Sequence, residues 1–451
     1  MSQHFDYLVI GAGNAGQTVA KAAAQAGHSV ALTEGRAYGG TCPLRGCDPK
    51  LVLHAAAKAM QQVDRLQGKA FTSHPGFTWS DLMNWKRSFT EPIPASAREK
   101  MEEAGVTVFS EYASFVDART MRFGDTEVTG DTIVLSVGQK PAPLDIPGKE
   151  HLLTSDDFLD MDDLPDEMVI IGGGYIGTET AHVCQALGCK ITIVVSESVP
   201  LDKFDHDLAD QLRQAMEDRG MRVLLNSKAT AVEQQSDGSF RVTVEDEAGK
   251  ETQLATKRVI HCAGRVPNIE ELQLDKAGIK YSKQGIQVND QLRTNLDHVY
   301  ALGDCADSGL PLTPVVSYDG KLLTENLFEG KHRKLDYYPI PTVAFCMPAI
   351  ASVGMTAKEA EENERELEIK HIDVTEWFHA RYRNISTCGH KLIIDPQQDL
   401  LLGAHLLDPE APELINMLYT IIRHRIKLSE VGHMIFAYPT SASVFKSVLA
   451  R

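Results

Sequence analysis

An apolar strand, a G-x-G-x-x-G turn and a small-residue helix follow one another twice in this chain, and that repeat leaves few folds open. The first copy runs from Tyr7-Leu8-Val9-Ile10 through Gly11, Gly13 and Gly16 to the strand Val30-Ala31-Leu32-Thr33-Glu34. The second runs from Met168-Val169-Ile170-Ile171 through Gly172, Gly174 and Gly177 to Ile191-Thr192-Ile193-Val194-Val195. Glycines at these places permit a tight turn and close backbone approach, and the helix start offers N–H groups and its dipole to a pyrophosphate. Each copy predicts a βαβ unit that binds a dinucleotide. Glu34 follows Gly11 by 23 residues, near the spacing at which a carboxylate reaches ribose hydroxyls.

Directly after the first unit comes Gly39-Gly40-Thr41-Cys42-Pro43-Leu44-Arg45-Gly46-Cys47-Asp48-Pro49, with four residues between its two cysteines. A turn that holds a dinucleotide would then also hold the sulfurs, which points to a redox dithiol beside a flavin. A merely structural pair is the competing reading, and the intact Gly39-Gly40-Thr41 and Gly46 weigh against it. Eight cysteines in 451 residues are too sparse for a secreted disulfide framework. Cys184 and Cys189 repeat the spacing but straddle a helix stop at Ala186-Leu187-Gly188, so they read as structural thiols. Cys262, Cys305, Cys346 and Cys388 read as small core residues; no metal-ligand spacing is present and no metal site is expected.

The length allows about three domains. The formal net charge of -17 disfavours nucleic acid as a partner. The start, Met1 to Asp6, leads into a strand without a basic and apolar leader, so a cytoplasmic protein is expected. The longest uncharged run lies between Asp336 and Lys358, and Pro339, Pro341 and Pro348 make it strands and turns rather than a membrane span. Trp377 and Phe378 read as core residues. Past residue 335, short alternating strands and an amphipathic helix around Glu413–Leu418 predict an α+β domain. The expected class is α/β, with residues 1–147 and 271–334 forming one nucleotide-binding domain, 148–270 a second, and 335–451 the α+β domain.

These motifs, with Ser136-Val137-Gly138, Ala263-Gly264-Arg265-Val266-Pro267-Asn268, Val299-Tyr300-Ala301-Leu302-Gly303-Asp304, Ile350–Gly354 and Leu402–His405, resemble the pyridine nucleotide-disulfide oxidoreductases over nearly the whole chain. That family includes dihydrolipoamide dehydrogenase, glutathione reductase and mercuric reductase. The resemblance implies a homodimer through the third domain, with FAD and NADH or NADPH as cofactors, and electrons passing from nicotinamide to flavin to disulfide. It implies Cys47 as the charge-transfer thiolate and Cys42 as the interchange thiol facing substrate. The cofactor-binding residues it implies are Gly11, Gly13, Gly16, Glu34, Gly40, Thr41, Ala113, Gly138 and Asp304, together with Gly172, Gly174, Gly177, Glu197, Gly264 and Arg265.

The chain departs from the family pattern at two places. In the family, the lysine that pairs with a glutamate beside the flavin comes four residues after the second cysteine, where Leu51 stands; Lys50 comes one earlier, and two readings stand: it pairs with Glu179 if the turn after Pro49 is adjusted, or Glu179 faces the nicotinamide without its partner. The family's closing His-Pro-Thr-x-x-Glu is replaced by Tyr438-Pro439-Thr440-Ser441-Ala442-Ser443, which removes the acid–base pair of the partner subunit's site. A phenol of pKa about 10 is no base near neutral pH, though it donates a hydrogen bond or proton. His433 reads as an ordinary packed or solvated histidine. A mercuric reductase is disfavoured because Ser447–Arg451 holds no cysteine pair. NADH is favoured over NADPH, because Glu197 would repel a 2′-phosphate and no arginine lies between Ile191 and Lys203. The expected activity is hydride transfer to FAD and then to Cys42–Cys47, with a small-molecule or small-thiol acceptor. Two alternatives stand: a quinone, metal-ion or dioxygen reductase with an auxiliary dithiol, and an FAD-holding redox sensor.

Overall fold

Tyr7, Leu8, Val9 and Ile10 are all buried, so successive side chains are covered on both faces of the sheet, as in the interior of a parallel α/β sheet. They close β1 (Gln3–Ile10), which α1 (Asn14–Gln25) connects to the parallel β2 (Val30–Thr33). The computed structural model describes residues 3–449. The chain divides into two units: Met1–Val52, Met83–Pro143 and Gly264–Tyr337 form the first, and Leu53–Leu82, Leu144–Ala263 and Tyr338–Arg451 the second. The second nucleotide-binding region and the α+β region group together as one unit.

In the first unit the sheet order is Thr107–Phe109, β2, β1, Thr126–Leu135, Thr120–Phe123, Ala113–Phe115, with Val299–Ala301 paired in parallel to Thr126–Leu135. One sheet face packs Leu8, Ile10, Ile133 and Phe115; the other packs Val9, Leu32 and Val134 against Val19 of α1 and Leu322 and Leu323 of the helix Thr313–Phe328. The short helix α2 (Thr41–Arg45) and the long α3 (Cys47–Arg65) follow β2.

In the second unit, β3 (Glu167–Ile171), α4 (Tyr175–Ala186) and β4 (Lys190–Val194) repeat the βαβ pattern in a four-stranded parallel sheet. The same unit holds a five-stranded antiparallel sheet, ordered Thr342–Ala344, Ile350–Gly354, Leu400–Leu407, Gly389–Asp395, Glu368–Asp373. The uncharged run from 336 to 358 supplies the first two of these strands. The helix Ala411–Arg423 buries Leu414, Ile415, Leu418, Ile421 and Ile422 at helical spacing. Cys189 is separated from α4 by Leu187 and Gly188, whose φ of +95° ends the helix. Trp377 packs against the apolar core, but Phe378 is 68% exposed, a correction to its expected burial. The reason is local: Phe378 opens a one-turn helix, Phe378–Arg381, that buries its neighbours His379 and Ala380 instead. No helix among the described residues is long and apolar enough to cross a membrane.

One ion pair ties the two parts of the second unit. Lys391 Nζ, 5% exposed, donates to Asp205 Oδ2 at 2.8 Å and Asp207 Oδ2 at 2.6 Å, and Asp205 Oδ1 also accepts from Leu208 N at the start of the helix His206–Asp218. Lys391→Ala leaves the Asp205 carboxylate buried without its cation and is expected to cost about 3 kcal/mol. Urea unfolding checks this; Asp207→Ala, at the exposed partner, is expected to cost less than about 1 kcal/mol.

Candidate functional site

The first glycine turn is closed by backbone on every side. Gly11 has φ of +100°, and a Cβ on it would lie 2.4 Å from Ser136 O; a Cβ on Gly16 would lie 1.9 Å from Gly11 O, and one on Gly40 (φ +79°) 2.6 Å from Gly13 Cα. Ser136 Oγ bridges Ile10 O and Gly11 O, at 3.0 Å each. Glu34, past the end of β2, accepts from Ala12 N and Arg36 N through its two oxygens at 2.9 Å. The carboxylate therefore stiffens the turn at whose rim it stands. Beside the turn opens a cavity of about 410 Å³, lined among others by Asn14, Gln17, Cys42, Lys100 and Thr313. A second, of about 270 Å³, is lined by Gln139, Arg265 and Asp304. These volumes, the cradle with no room for a Cβ and the start of α1 fit the phosphates and ribityl chain of FAD. FAD, when bound, takes hydride from a reduced nicotinamide and passes an electron pair onward.

Not every expected residue faces a cavity with its side chain. Ala113 is buried in the apolar core with Leu8 and Phe115, which leaves its main chain as the part able to meet a ligand. Gly138 has φ of +67° and lets the chain turn out of the strand Thr126–Leu135. Arg265 pairs with Pro141 in a two-stranded sheet of the first unit and donates to Gln139 O at 2.7 Å. Burial pushes the Asp304 carboxyl up, and Arg265 opposes this. Gly264 adopts φ of +102° just before it.

The dithiol owes its geometry to a helix break. Gly40 starts α2 and Thr41 is its first residue; Gly46, at φ −142° and ψ −116°, ends it, and α3 begins again at Cys47. The interruption brings Cys42 within hydrogen-bond reach of Cys47 and sets Cys47 at a helix N-terminus, where the dipole favours a thiolate. Thr313 Oγ1 lies 3.6 Å from Cys47 Sγ. Cys47 is lowered from 9.0 to about 6, first by the hydrogen bond from Cys42, then by Thr313 and the charge of Lys50, against burial and Asp48. The same hydrogen bond, with burial, pushes Cys42 up. The pair is thus polarised: anion at Cys47, proton at Cys42.

Lys50 stands three residues after Cys47 on α3, about 60° to one side of it around the helix, where a residue four on stands about 40° to the other. The one-residue shift keeps the cation on the face of the cysteine, and Leu51, at the family's lysine position, is 37% exposed. Because the folded-state value of Cys47 is depressed, its thiolate stabilises the fold fully above the ordinary value of 9.0 and loses that contribution as pH falls through about 6. Alkylation of Cys47 in the reduced protein, read by mass spectrometry against pH, is expected to have its midpoint near 6. Thr313→Val is expected to raise that midpoint by roughly one pH unit.

The second unit carries the other turn. Gly172 has φ of +115°, and a Cβ there would lie 2.5 Å from Cys262 O; a Cβ on Gly177 would lie 2.0 Å from Gly172 O. Gly174, the N-cap of α4, faces open space. Glu179, on α4 and 2% exposed, accepts from Phe345 N at 2.7 Å through Oε1. Glu197 is exposed beyond β4, and Lys203 is paired with Asp202 at 3.4 Å. Tyr438 is 83% exposed; Thr440, two residues on, caps the closing helix Ser441–Leu449 by accepting from Ser443 N. His433 Nδ1 lies 2.7 Å from Ser429 O within its own helix.

Two side chains escaped sequence reasoning. Thr313 is separated from Cys47 by 266 residues, and only its place at the first turn of a helix gave a signal. Asp319, fully buried on the same helix, accepts from Tyr337 at 2.6 Å and from Gly303 N at 3.4 Å, which anchors the loop before Asp304.

The model of the family described as pyridine nucleotide-disulphide oxidoreductase matches residues 5–320, and the model of its dimerisation domain matches residues 340–449. The chain belongs to this family. The pyridine nucleotide-disulphide oxidoreductases similar to it include a glutathione reductase from Nostoc sp., 29% identical with 99% of each chain covered. They also include a dihydrolipoyl dehydrogenase from Haloferax volcanii, 29% identical over 97% of this chain and 94% of the relative. Among solved structures, the HOCl-induced flavoprotein disulfide reductase RclA from Escherichia coli matches with TM-score 0.88 and 26% identity over 99% of both chains. The Cu(II) complex of the same protein matches with TM-score 0.87 and 27% identity over 98% of both chains. As a member of this family, the chain is a flavin-dependent disulfide oxidoreductase that uses FAD and a pyridine nucleotide.

Proposed function

We propose that the enzyme uses NADH, that Cys47 and Cys42 are its flavin-side and acceptor-side thiols, and that its acceptor is a small oxidant needing no protonated thiol leaving group. Metal ions, quinones and activated disulfides meet that description. The observation that carries the reading is the replacement of the closing His and Glu by Tyr438 and Ser443 beside a polarised dithiol. An alkyl thiolate is a basic leaving group and needs a proton supplied in place, whereas Cu(II) accepts an electron with no leaving group. The existence of a Cu(II) complex of a structural relative supports metal ions in particular. With Cu(II) the balance is one dithiolate plus two Cu(II) giving one disulfide plus two Cu(I). In this reading Lys50 supplies the cation beside Cys47, and Tyr438 lends at most a hydrogen bond.

A panel of acceptors with NADH as donor tests this. Turnover of Cu(II) or a benzoquinone is expected to exceed that of glutathione disulfide and lipoamide by at least about a hundredfold in kcat/KM, the scale of general acid–base assistance. Comparable turnover of glutathione disulfide sinks the proposal. Acceptor reduction that survives Cys42→Ser moves the chemistry to the flavin and makes the dithiol auxiliary.

The NADH assignment rests on Glu197 and on the absence of any arginine between Ile191 and Lys203. Glu197→Arg is expected to shift the NADH-to-NADPH ratio of kcat/KM by about tenfold or more towards NADPH. Stopped-flow flavin reduction with each nucleotide measures it, and an unchanged ratio removes Glu197 from the specificity site.

We also infer a homodimer. The second unit exposes Phe378 (68%), Tyr382 (55%) and Ile435 (99%), apolar surface of the kind a second copy covers. Sedimentation equilibrium is expected to give twice the chain mass of 49.6 kDa.

A further inference from the structure

Away from the dithiol, the second unit holds a cluster of four polar side chains in an apolar setting. His379 lies on the one-turn helix Phe378–Arg381, Cys388 immediately before the strand Gly389–Asp395, His390 within that strand, and Asp408 immediately after Leu400–Leu407. Alternation along the extended chain puts Cys388 and His390 on one face. All four are enclosed: His379 is 4% exposed, Cys388 2%, His390 1% and Asp408 0%. Three of them converge on a single atom. Asp408 Oδ2 lies 3.2 Å from His379 Nε2, 3.1 Å from His390 Nε2 and 3.2 Å from Cys388 Sγ, while Cys388 Sγ and His379 Nε2 are 4.0 Å apart. Asp408 Oδ1 accepts from Glu410 N at 2.8 Å. Ala380 and Ile385 pack around Cys388, and the Phe445 ring lies 4.8 Å from the His390 ring.

We propose that His379, Cys388, His390 and Asp408 form a closed structural site for a divalent transition metal of the zinc class. The donor set decides the class. Two imidazole nitrogens, one sulfur and one carboxylate oxygen are the ligands of Zn(II); Mg(II) and Ca(II) take six or more oxygens. Thiolate and carboxylate together match the double charge of the ion, so a neutral group is buried. A tetrahedral ion with bonds of about 2.0–2.3 Å needs donor–donor edges of about 3.3–3.8 Å. The edges from Asp408 Oδ2 to the other three donors, 3.1, 3.2 and 3.2 Å, and the Cys388–His379 edge of 4.0 Å are within a few tenths of an ångström of that range. The donor atoms of His379, Cys388 and Asp408 all lie within 4.8 Å of one another, and His390, which touches this group through Asp408, is the donor that has to shift to complete the tetrahedron. With His390 drawn in beside the three donors already grouped, four protein ligands leave no open position, which makes the site a staple rather than a catalyst.

Binding exchanges the Cys388 thiol proton for the ion: a metal–sulfur bond forms, an S–H bond breaks and one proton leaves to solvent. Each imidazole coordinates through Nε2 and carries its proton on Nδ1, with no net release. Neither Nδ1 has a hydrogen-bond partner among the described residues, so the rings lack outer support, which lowers affinity by about 10–100-fold relative to a supported site. The staple would join a helix, the end of a strand and the start of a loop to the closing helix, through Phe445.

The test uses the full chain with FAD bound and Cys42→Ser/Cys47→Ser, so that the redox dithiol cannot hold the ion. After equilibration with Zn(II) and gel filtration, elemental analysis is expected to find about one zinc per chain. Cys388→Ser and Asp408→Asn are expected to lower retained zinc at least about tenfold with FAD content unchanged. Added Zn(II) is expected to raise the unfolding midpoint of the parent and not of the variants. Should the variants fail to fold, Co(II) in the parent keeps the test decisive: a thiolate-to-cobalt charge-transfer band is expected. No retained zinc, no shift of the midpoint and no cobalt–thiolate band in the parent would overturn the proposal, leaving a hydrogen-bond network around Asp408.

Discussion

Cys42→Ser is expected to lower NADH-driven reduction of a dithiol-dependent acceptor by at least about a thousandfold, the scale on which removing a nucleophile acts. Cys42→Ala, which also removes the hydrogen-bond donor, is expected to move Cys47 in the opposite direction from activation. The hydrogen bond from Cys42 is the largest cause holding Cys47 near 6, ahead of Thr313 and Lys50. Alanine offers no donor in place of the thiol, so the midpoint for Cys47 ionisation should rise while staying below an ordinary thiol, because Thr313, Lys50 and the start of α3 remain. Steady-state turnover and the pH profile of Cys47 alkylation measure the two effects separately. Loss of turnover without a rise in the midpoint would detach the polarisation of the pair from its chemistry.

Gly16→Ala is expected to lower FAD affinity by at least about a hundredfold and to cost about 3 kcal/mol or more of stability. The added Cβ would lie 1.9 Å from Gly11 O and 2.6 Å from Ser136 Oγ. Gly11 is itself fixed by Ser136 and by the hydrogen bond of its N–H to Thr33 O at 2.8 Å, so relief requires the turn to open. An opened turn no longer aims the N–H groups of α1 at a pyrophosphate. Gly174→Ala is the control: its φ is −77° and its Cβ meets open space, so stability should change little and any effect should appear only in the nucleotide KM. FAD content, fluorescence titration and urea unfolding measure these together. Unaltered FAD binding in Gly16→Ala would mean that the turn is not the cradle.

Much of this was legible in the sequence because it is local. Tyr7–Gly16 and Met168–Gly177 carry strand, turn and helix within ten residues, and the four residues between Cys42 and Cys47 belong to one interrupted helix. The shift of Lys50 was legible as a departure. Its consequence needed the helix: with α3 starting at Cys47, positions three and four residues on both flank the sulfur. Ala113 carried no sign that its side chain would be sealed in the core, since a short apolar strand reads alike whether or not it lines a cavity. Thr313 and Asp319 act through contacts across long separations, and no spacing encodes them. The cluster at Asp408 was missed for the same reason. Eight residues lie between His379 and Cys388 and 17 between His390 and Asp408, and a helix and two strands bring them together. Phe378 looked like core because it follows Trp377, while a single helical turn faces the two in different directions.

The most direct test of the assignment is anaerobic titration of the purified enzyme with NADH, following flavin bleaching and long-wavelength charge-transfer absorbance at pH 7.5 and again at about pH 5, on either side of the Cys47 midpoint near 6. Charge-transfer absorbance is expected at the higher pH, weakened at the lower pH and absent in Cys47→Ser. Flavin bleaching with no such band, or a band that persists in Cys47→Ser, would contradict a working dithiol at Cys42 and Cys47.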